Sequence, residues 1–282
     1  KNMVEVDMPI KITPTHETIN INIKKNVCWI SMNRPKSLNA LTSELATALA
    51  DATFAIKTSK SIRAVVLTGE GDHFMAGGDI KNFKTMIIEE KNKTILSQKF
   101  EKLLQNFHRI IINMHTMPQP ILASVRGAVA GAGVSLMAAC DLAIASDDAF
   151  FTLAYCHLGV SPDGGSTYSL PRIIGLKRAF QLALLGDRFN ADTAEKWGMV
   201  NKVVARDSLL NETEILSNKL AAGPSLAHAK TKNLLYSSLE RNLEEQLQRE
   251  VKAFSDCTLT NDFEEGVDAF INKRTPLFTG NG

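Results

Sequence analysis

Three apolar runs in this chain each end in a cluster of small residues and then turn into a helical pattern. This repeat constrains the fold more than any other feature. Residues 63–68 lead to Met75-Ala76-Gly77-Gly78-Asp79-Ile80. Residues 121–125 lead to a stretch from Gly127 through Gly131, Ala132 and Gly133 to Ser135. Residues 142–145 lead, after a longer interval, to Pro162-Asp163-Gly164-Gly165-Ser166-Thr167. Short apolar runs bounded by turn residues fit strands buried on both faces. Strand, helix, strand, helix in succession predicts an α/β fold.

The remaining segments fit the same class. Residues 19–24 alternate apolar and polar, and 27–32 follow after a turn at Lys25-Asn26, which predicts a hairpin of two strands. Helices are expected over 41–58, about 94–117 and 176–185, the second stopped by Pro118 and Pro120. From Leu209 onward strand signals vanish, and Gly223-Pro224 is one break in an otherwise helical run. The expected organisation is an N-terminal extension (1–18), a core that carries the site (19–207) and a helical region (208–282).

Composition excludes several functions. The 282 residues carry 32 Lys+Arg against 30 Asp+Glu, too even a balance for a protein held to nucleic acid by its phosphates. No run approaches the roughly 20 apolar residues of a membrane span. Cys28, Cys140, Cys156 and Cys257 form no Cys-x-x-Cys pair, and Cys28 and Cys140 sit in apolar runs as core residues. A reducing compartment is expected: the cytoplasm, or an organelle matrix if the start at Lys1 reflects processing. The six histidines (His16, His73, His108, His115, His157, His228) show no metal-ligand spacing, so no metal is expected.

Small side chains leave backbone N–H groups uncovered, so a ligand oxygen can reach them. Two such groups converging on one point stabilise a developing oxyanion. Other readings of the same residues stay open. Gly131-x-Gly133 is part of a dinucleotide fingerprint, although Leu136 stands where its third glycine belongs. Gly77-Gly78 also suits a plain turn, and Pro162-Asp163-Gly164 is a common turn sequence in which Asp163 would be structural. The chain has neither a G-x-S-x-G elbow nor a P-loop.

Taken in order, the motifs resemble those of the crotonase superfamily, the enoyl-CoA hydratases and isomerases. The resemblance runs through Asn33-Arg34-Pro35, Leu38-Asn39-Ala40-Leu41, residues 74–80, 127–141 and 158–171, and Gly186-Asp187-Arg188. It ends in Phe263-Glu264-Glu265-Gly266 and Lys273-Arg274 with Pro276 and Phe278. It implies a spiral of ββα units with a C-terminal helical oligomerisation region, assembling as a homotrimer or hexamer. It also implies an acyl-CoA thioester substrate and no separate cofactor, coenzyme A being part of the substrate. By position, Ala76 and Ala132 would supply the oxyanion N–H groups. Lys36, Leu38, Ala40, Ala76, Gly77, Gly78, Asp79, Ile80, Ala132 and Pro162 would line the coenzyme A channel. Lys273 or Arg274 would meet its phosphates.

Two departures narrow the expected chemistry. Where the family's hydratases carry two glutamates, this chain has Ser135 and Tyr155. Hydration needs one group to activate water and one to handle the proton at the α-carbon. A serine hydroxyl or a phenol of pKa ~10 serves poorly at neutral pH. Asp163 falls where several of the family's isomerases carry their single acid. The expected activity is therefore a Δ3–Δ2 enoyl-CoA isomerisation with Asp163 as base. Hydratase or other crotonase chemistry (diene or ring isomerisation, thioester hydrolysis, dehalogenation) and an inactive acyl-CoA-binding or assembly homologue remain as alternatives.

Overall fold

The computed structural model describes residues 12–280. Its strands are β1 (Ile19–Lys24), β2 (Val27–Met32), β3 (Ala64–Gly69), β4 (Ile121–Val125), β5 (Ala128–Ala130), β6 (Leu142–Ser146), β7 (Phe150–Thr152), β8 (Phe189–Asn190) and β9 (Lys202–Val204). Strands β1 and β2 form the expected hairpin, with Lys24 opposite Val27. Lys25 and Asn26 take φ of 52° and 63°, the backbone a two-residue hairpin turn needs to match strand twist. The main sheet runs β1-β2-β3-β4-β6-β9 and is parallel from β2 onward.

A second sheet, β5-β7-β8, was not expected. Residues 127–133 read as one turn, because strands of two or three residues are too short to show a period. With it, the fold is a spiral. Strand β4 passes to β5 and then to α4 (Ala132–Ala138). Strand β6 passes to β7 and, after a 3-10 turn at Tyr155–Leu158, to α5 (Ser166–Ile174). Each turn places one strand in each sheet before its helix, which is the ββα repeat.

Helices cover both faces of the main sheet. On one face, α1 (Ser43–Thr58) packs against α3 (Lys93–Thr116), burying Leu45, Leu49, Ile56, Phe107, Ile110 and Met114. Between them in sequence comes α2 (Ile80–Glu89), an amphipathic helix that buries no residue fully and rests Phe83 against the core and edge-on to Phe100. On the other face, α8 (Leu209–Ala221) sets Leu209, Leu216, Leu220 and Ala221 against Val27, Val66, Leu122 and Ile144. Double coverage is why β3 and β4 read as continuous apolar runs. Helix α6 (Leu176–Leu185) lies within the expected range, and α7 (Ala191–Lys196) leads into β9.

The chain ends in α9 (Ser225–Ser237), α10 (Leu243–Thr258) and α11 (Asn261–Ile271). Helix α9 is anchored by Lys232, which pairs with Asp141 at 2.8 Å in a nearly buried position. Tyr236 donates to Asp141 Oδ1 at 2.8 Å, and the Ile121 N–H donates to its Oδ2 at 2.7 Å. Removing one partner of such a buried pair strands the other charge, which makes the contact costly to break. Helices α10 and α11 leave Leu243, Leu247, Val251, Phe254, Phe270 and Ile271 exposed. No described helix is long and apolar enough to cross a membrane. Of the expected N-terminal extension, residues 1–11 lie outside the described residues.

Candidate active site

The segment before α1 is locked by its own polar groups. Leu38 and Asn39 adopt left-handed φ of 51° and 56°. Asn39 is fully buried: its Oδ1 accepts from the Arg34 N–H at 2.8 Å, and its Nδ2 donates to the carbonyls of Glu70 at 3.0 Å and His73 at 2.8 Å. The Arg34 guanidinium donates to the Ala40 carbonyl and pairs with Asp79 at 2.9 Å. Burial alone would raise the Asp79 carboxyl, but Arg34 and two backbone N–H donors outweigh it and hold the group below the usual carboxylate range. Asp79 also caps α2, accepting from the Asn82 N–H at 3.1 Å. Asn39→Ala removes three partners from backbone groups, and at about 1–2 kcal/mol each should cost about 3–5 kcal/mol of stability. Urea unfolding checks this, and a loss under about 1 kcal/mol would contradict the anchoring role.

These anchors fix the segment at 75–79, and they alter the expected oxyanion site. The Ala76 N–H donates to the Leu38 carbonyl at 3.0 Å, so it is committed and not open to a ligand. The Leu41 N–H donates to the Gly77 carbonyl at 2.7 Å, and the Asp79 N–H to the Leu41 carbonyl at 3.1 Å. In a parallel bridge of this form, the residue between the bonded groups turns its own N–H and C=O away from the partner strand. That residue is Gly78, and its N–H has no backbone acceptor among the described residues. Gly77 takes φ +92°, which an alanine there would rarely adopt. The fault in the expectation is local, because an irregular loop does not reveal from sequence which way each N–H points.

Ala132, by contrast, keeps its N–H open. It is the first residue of α4, where an N–H has no partner within the helix. Met75 draws the two loops together. Its N–H donates to the Ala128 carbonyl at 3.1 Å, and its carbonyl accepts from the Ala130 N–H at 2.9 Å. Gly133 permits this approach, since a Cβ there would sit 2.4 Å from the Met75 carbonyl oxygen.

Asp163 lies two residues before Gly165, the residue that caps α5. Tyr155 donates to Asp163 Oδ1 at 2.5 Å. Ser135, on α4, donates to the Asp163 carbonyl at 2.9 Å and has its Oγ 3.5 Å from the Tyr155 hydroxyl. Burial pushes the Asp163 carboxyl above its ordinary range, and the Tyr155 hydrogen bond and the charge of His108 pull it back only in part. Burial, and then the Asp163 charge, push the Tyr155 phenol far up, so it stays a protonated donor. Sequence motifs pointed to Asp163 but gave no sign that Tyr155 touches it.

The other expected channel residues divide by exposure. Lys36 and Leu38 are exposed on the locked segment and Ile80 is exposed at the start of α2, whereas Ala40 and Gly77 are buried and Pro162 is half-buried beside Asp163. Arg274 is engaged by Glu265 and Asp268, each at 2.6 Å, so the phosphate role expected of it has a competitor. Lys273 is exposed. Among the described residues no group of three His, Cys, Asp or Glu could hold a metal ion. Burial raises the Cys28 thiol to about 12, which leaves it unreactive.

The frame is a two-sheet spiral that sets two uncommitted backbone N–H groups, on adjoining loops, and one half-buried acid into its loops. Known proteins agree. The family model described as enoyl-CoA hydratase/isomerase matches residues 22–281. The chain belongs to the enoyl-CoA hydratase/isomerase family, the crotonase superfamily. It is 32% identical over 265 residues to 1,2-epoxyphenylacetyl-CoA isomerase of Escherichia coli, covering 94% of this chain and 99% of the relative. It is also 32% identical over 261 residues to a short-chain-enoyl-CoA hydratase of Clostridium acetobutylicum, covering 92% and 97%. The crystal structure of an enoyl-CoA hydratase from Bacillus anthracis superposes with a TM-score of 0.87 at 29% identity, over 94% of this chain and all of that one.

Proposed function

We propose that this family member is a Δ3–Δ2 enoyl-CoA isomerase, with Asp163 as its only acid–base group. The Asp163 carboxylate takes a proton from C2 of a 3-enoyl thioester. The C2–H electron pair becomes part of a dienolate, whose charge settles on the thioester oxygen between the N–H groups of Gly78 and Ala132. The protonated carboxyl then returns its proton to C4, and the double bond closes between C2 and C3. No oxidant, metal or water is consumed. One half-buried, pKa-raised carboxyl is matched to both halves of this exchange.

The observation that carries this reading is the company Asp163 keeps. The two positions that could supply further acids hold Ser135 and Tyr155, and both hydroxyls are engaged with Asp163. Neither of these two positions offers a carboxylate to activate water. The Escherichia coli relative, named as a 1,2-epoxyphenylacetyl-CoA isomerase, supports isomerisation as the class of chemistry but not a double-bond shift in particular; the Clostridium relative, named as a hydratase, supports the competing one. The exposed apolar residues of α10 and α11 fit assembly of several copies, a trimer or paired trimers.

Paired assays separate the two chemistries. 3-Enoyl-CoA should be converted to the 2-enoyl thioester, while 2-enoyl-CoA should gain water at least about 100-fold more slowly. The reverse ratio would establish a hydratase and overturn the proposal. Binding of both thioesters without turnover would point to an inactive homologue instead.

A further inference from the structure

The two oxygens of Asp163 are placed differently. Oδ1 accepts the Tyr155 hydroxyl at 2.5 Å. Oδ2 accepts no hydrogen bond among the described residues, and it is not one of the fully buried polar atoms. Tyr155 is itself aimed. Ala154, immediately before it, holds φ +40°, a left-handed conformation that costs a non-glycine residue about 1–2 kcal/mol. The Tyr155 ring lies against the turn at Gly131, where a Cβ would come within 3.9 Å of its Cζ, and Ser135 Oγ is 3.5 Å from its hydroxyl. The hydroxyl is thus fixed from β7's end, from the 131 turn and from α4 before it meets the carboxylate.

We infer that Tyr155 is a positioning residue that ties down one oxygen of Asp163, leaving Oδ2 as the single atom that takes the proton from C2 and delivers it to C4. The inference rests on the isomerase reading above for its last step, though not for the Tyr155–Asp163 link. A carboxylate free to rotate could present either oxygen in either direction, and its protonated form could lose the proton to solvent between steps. With Oδ1 held, the protonated oxygen stays over the same face of the dienolate. A hydrogen bond to the charged form also favours that form, so Tyr155 offsets part of the burial that opposes ionisation. The other groups facing Asp163 are His108 from α3, whose Nε2 accepts from the Gly164 N–H at 3.4 Å, Ser135 from α4, and Ser166 at the start of α5, whose hydroxyl donates to the Asp163 carbonyl at 2.9 Å. Of these only His108 can carry charge, and it is the same in every variant below.

Two replacements test the inference in the full-length protein: Tyr155→Phe, and 3-fluorotyrosine at position 155. The fluorinated ring keeps its shape but is the more acidic donor, and it guards against a Phe variant that fails to fold. The readout is the ¹³C NMR titration of the Asp163 carboxyl in the free enzyme. Its midpoint should rise by about one pH unit in Tyr155→Phe and fall in the fluorotyrosine protein. The acid limb of kcat/KM for 3-enoyl-CoA should move in step, because that limb reports the free enzyme's base. A midpoint that moves in neither protein overturns the inference. A midpoint that moves as expected in an enzyme that isomerises nothing overturns the single-oxygen shuttle together with the isomerase reading, and leaves the Tyr155–Asp163 link standing.

Discussion

Replacing Asp163 by asparagine should lower kcat for 3-enoyl-CoA about 10³–10⁴-fold and stop exchange of the C2 proton with solvent. Asparagine has nearly the same shape and can still accept from Tyr155 through its carbonyl oxygen, so the site should stay assembled. It removes only the ability to take a proton. Ser135 is a poor base, and Tyr155 is a phenol that burial and the neighbouring carboxylate hold protonated. Neither can stand in. Affinity for a saturated acyl-CoA should change less than about threefold, since removing a group needed only in the transition state lowers kcat without touching ground-state binding. Following the C2 resonance in D₂O checks the claim. Exchange at the wild-type rate in Asp163→Asn would mean that another group is the base.

Gly133→Ala should have the second largest effect, by a different route. Alanine is the better helix former by about 1 kcal/mol, so helix α4 has no reason to reject it on propensity. The obstacle is distance. The added Cβ would lie 2.4 Å from the Met75 carbonyl oxygen and 3.1 Å from the Met75 Cβ. That carbonyl is the acceptor for the Ala130 N–H, and the contact seats the 75–78 loop beside the start of α4. To admit the methyl group, α4 and the loop must part, which separates the N–H of Ala132 from that of Gly78. Misplacing one oxyanion donor should cost about 10²–10³-fold in kcat/KM. Overpacking should cost about 1–3 kcal/mol of stability. Steady-state kinetics beside a thermal melt distinguish the two losses. An active enzyme with an unchanged melt would contradict the close approach of these loops.

Much of this was legible in the chain itself, for identifiable reasons. Strands β3 and β4 were visible because helices cover both faces of the sheet and nearly every position is apolar. The β1–β2 hairpin was visible because Lys25-Asn26 suits a left-handed turn. Asp163 stood out through its motif. Strands β5, β7 and β8 were hidden by their brevity. The exchange of Ala76 for Gly78 has another cause. Which amide points outward depends on the bridge to Leu41 and on Leu38's carbonyl, and those segments meet only in the folded chain. The link between Tyr155 and Asp163 was hidden for the same reason, since it depends on a left-handed Ala154 that nothing in the local sequence announces.

The most direct test of a one-acid isomerase is a crystal structure with an unreactive 3-enoyl-CoA analogue. The account predicts the thioester oxygen within ~3 Å of the N–H groups of both Gly78 and Ala132. It also predicts Asp163 Oδ2 about 3–3.5 Å from both C2 and C4, on one face of the chain. An ordered water poised over C3, with the Asp163 carboxylate turned away from C2, would contradict it.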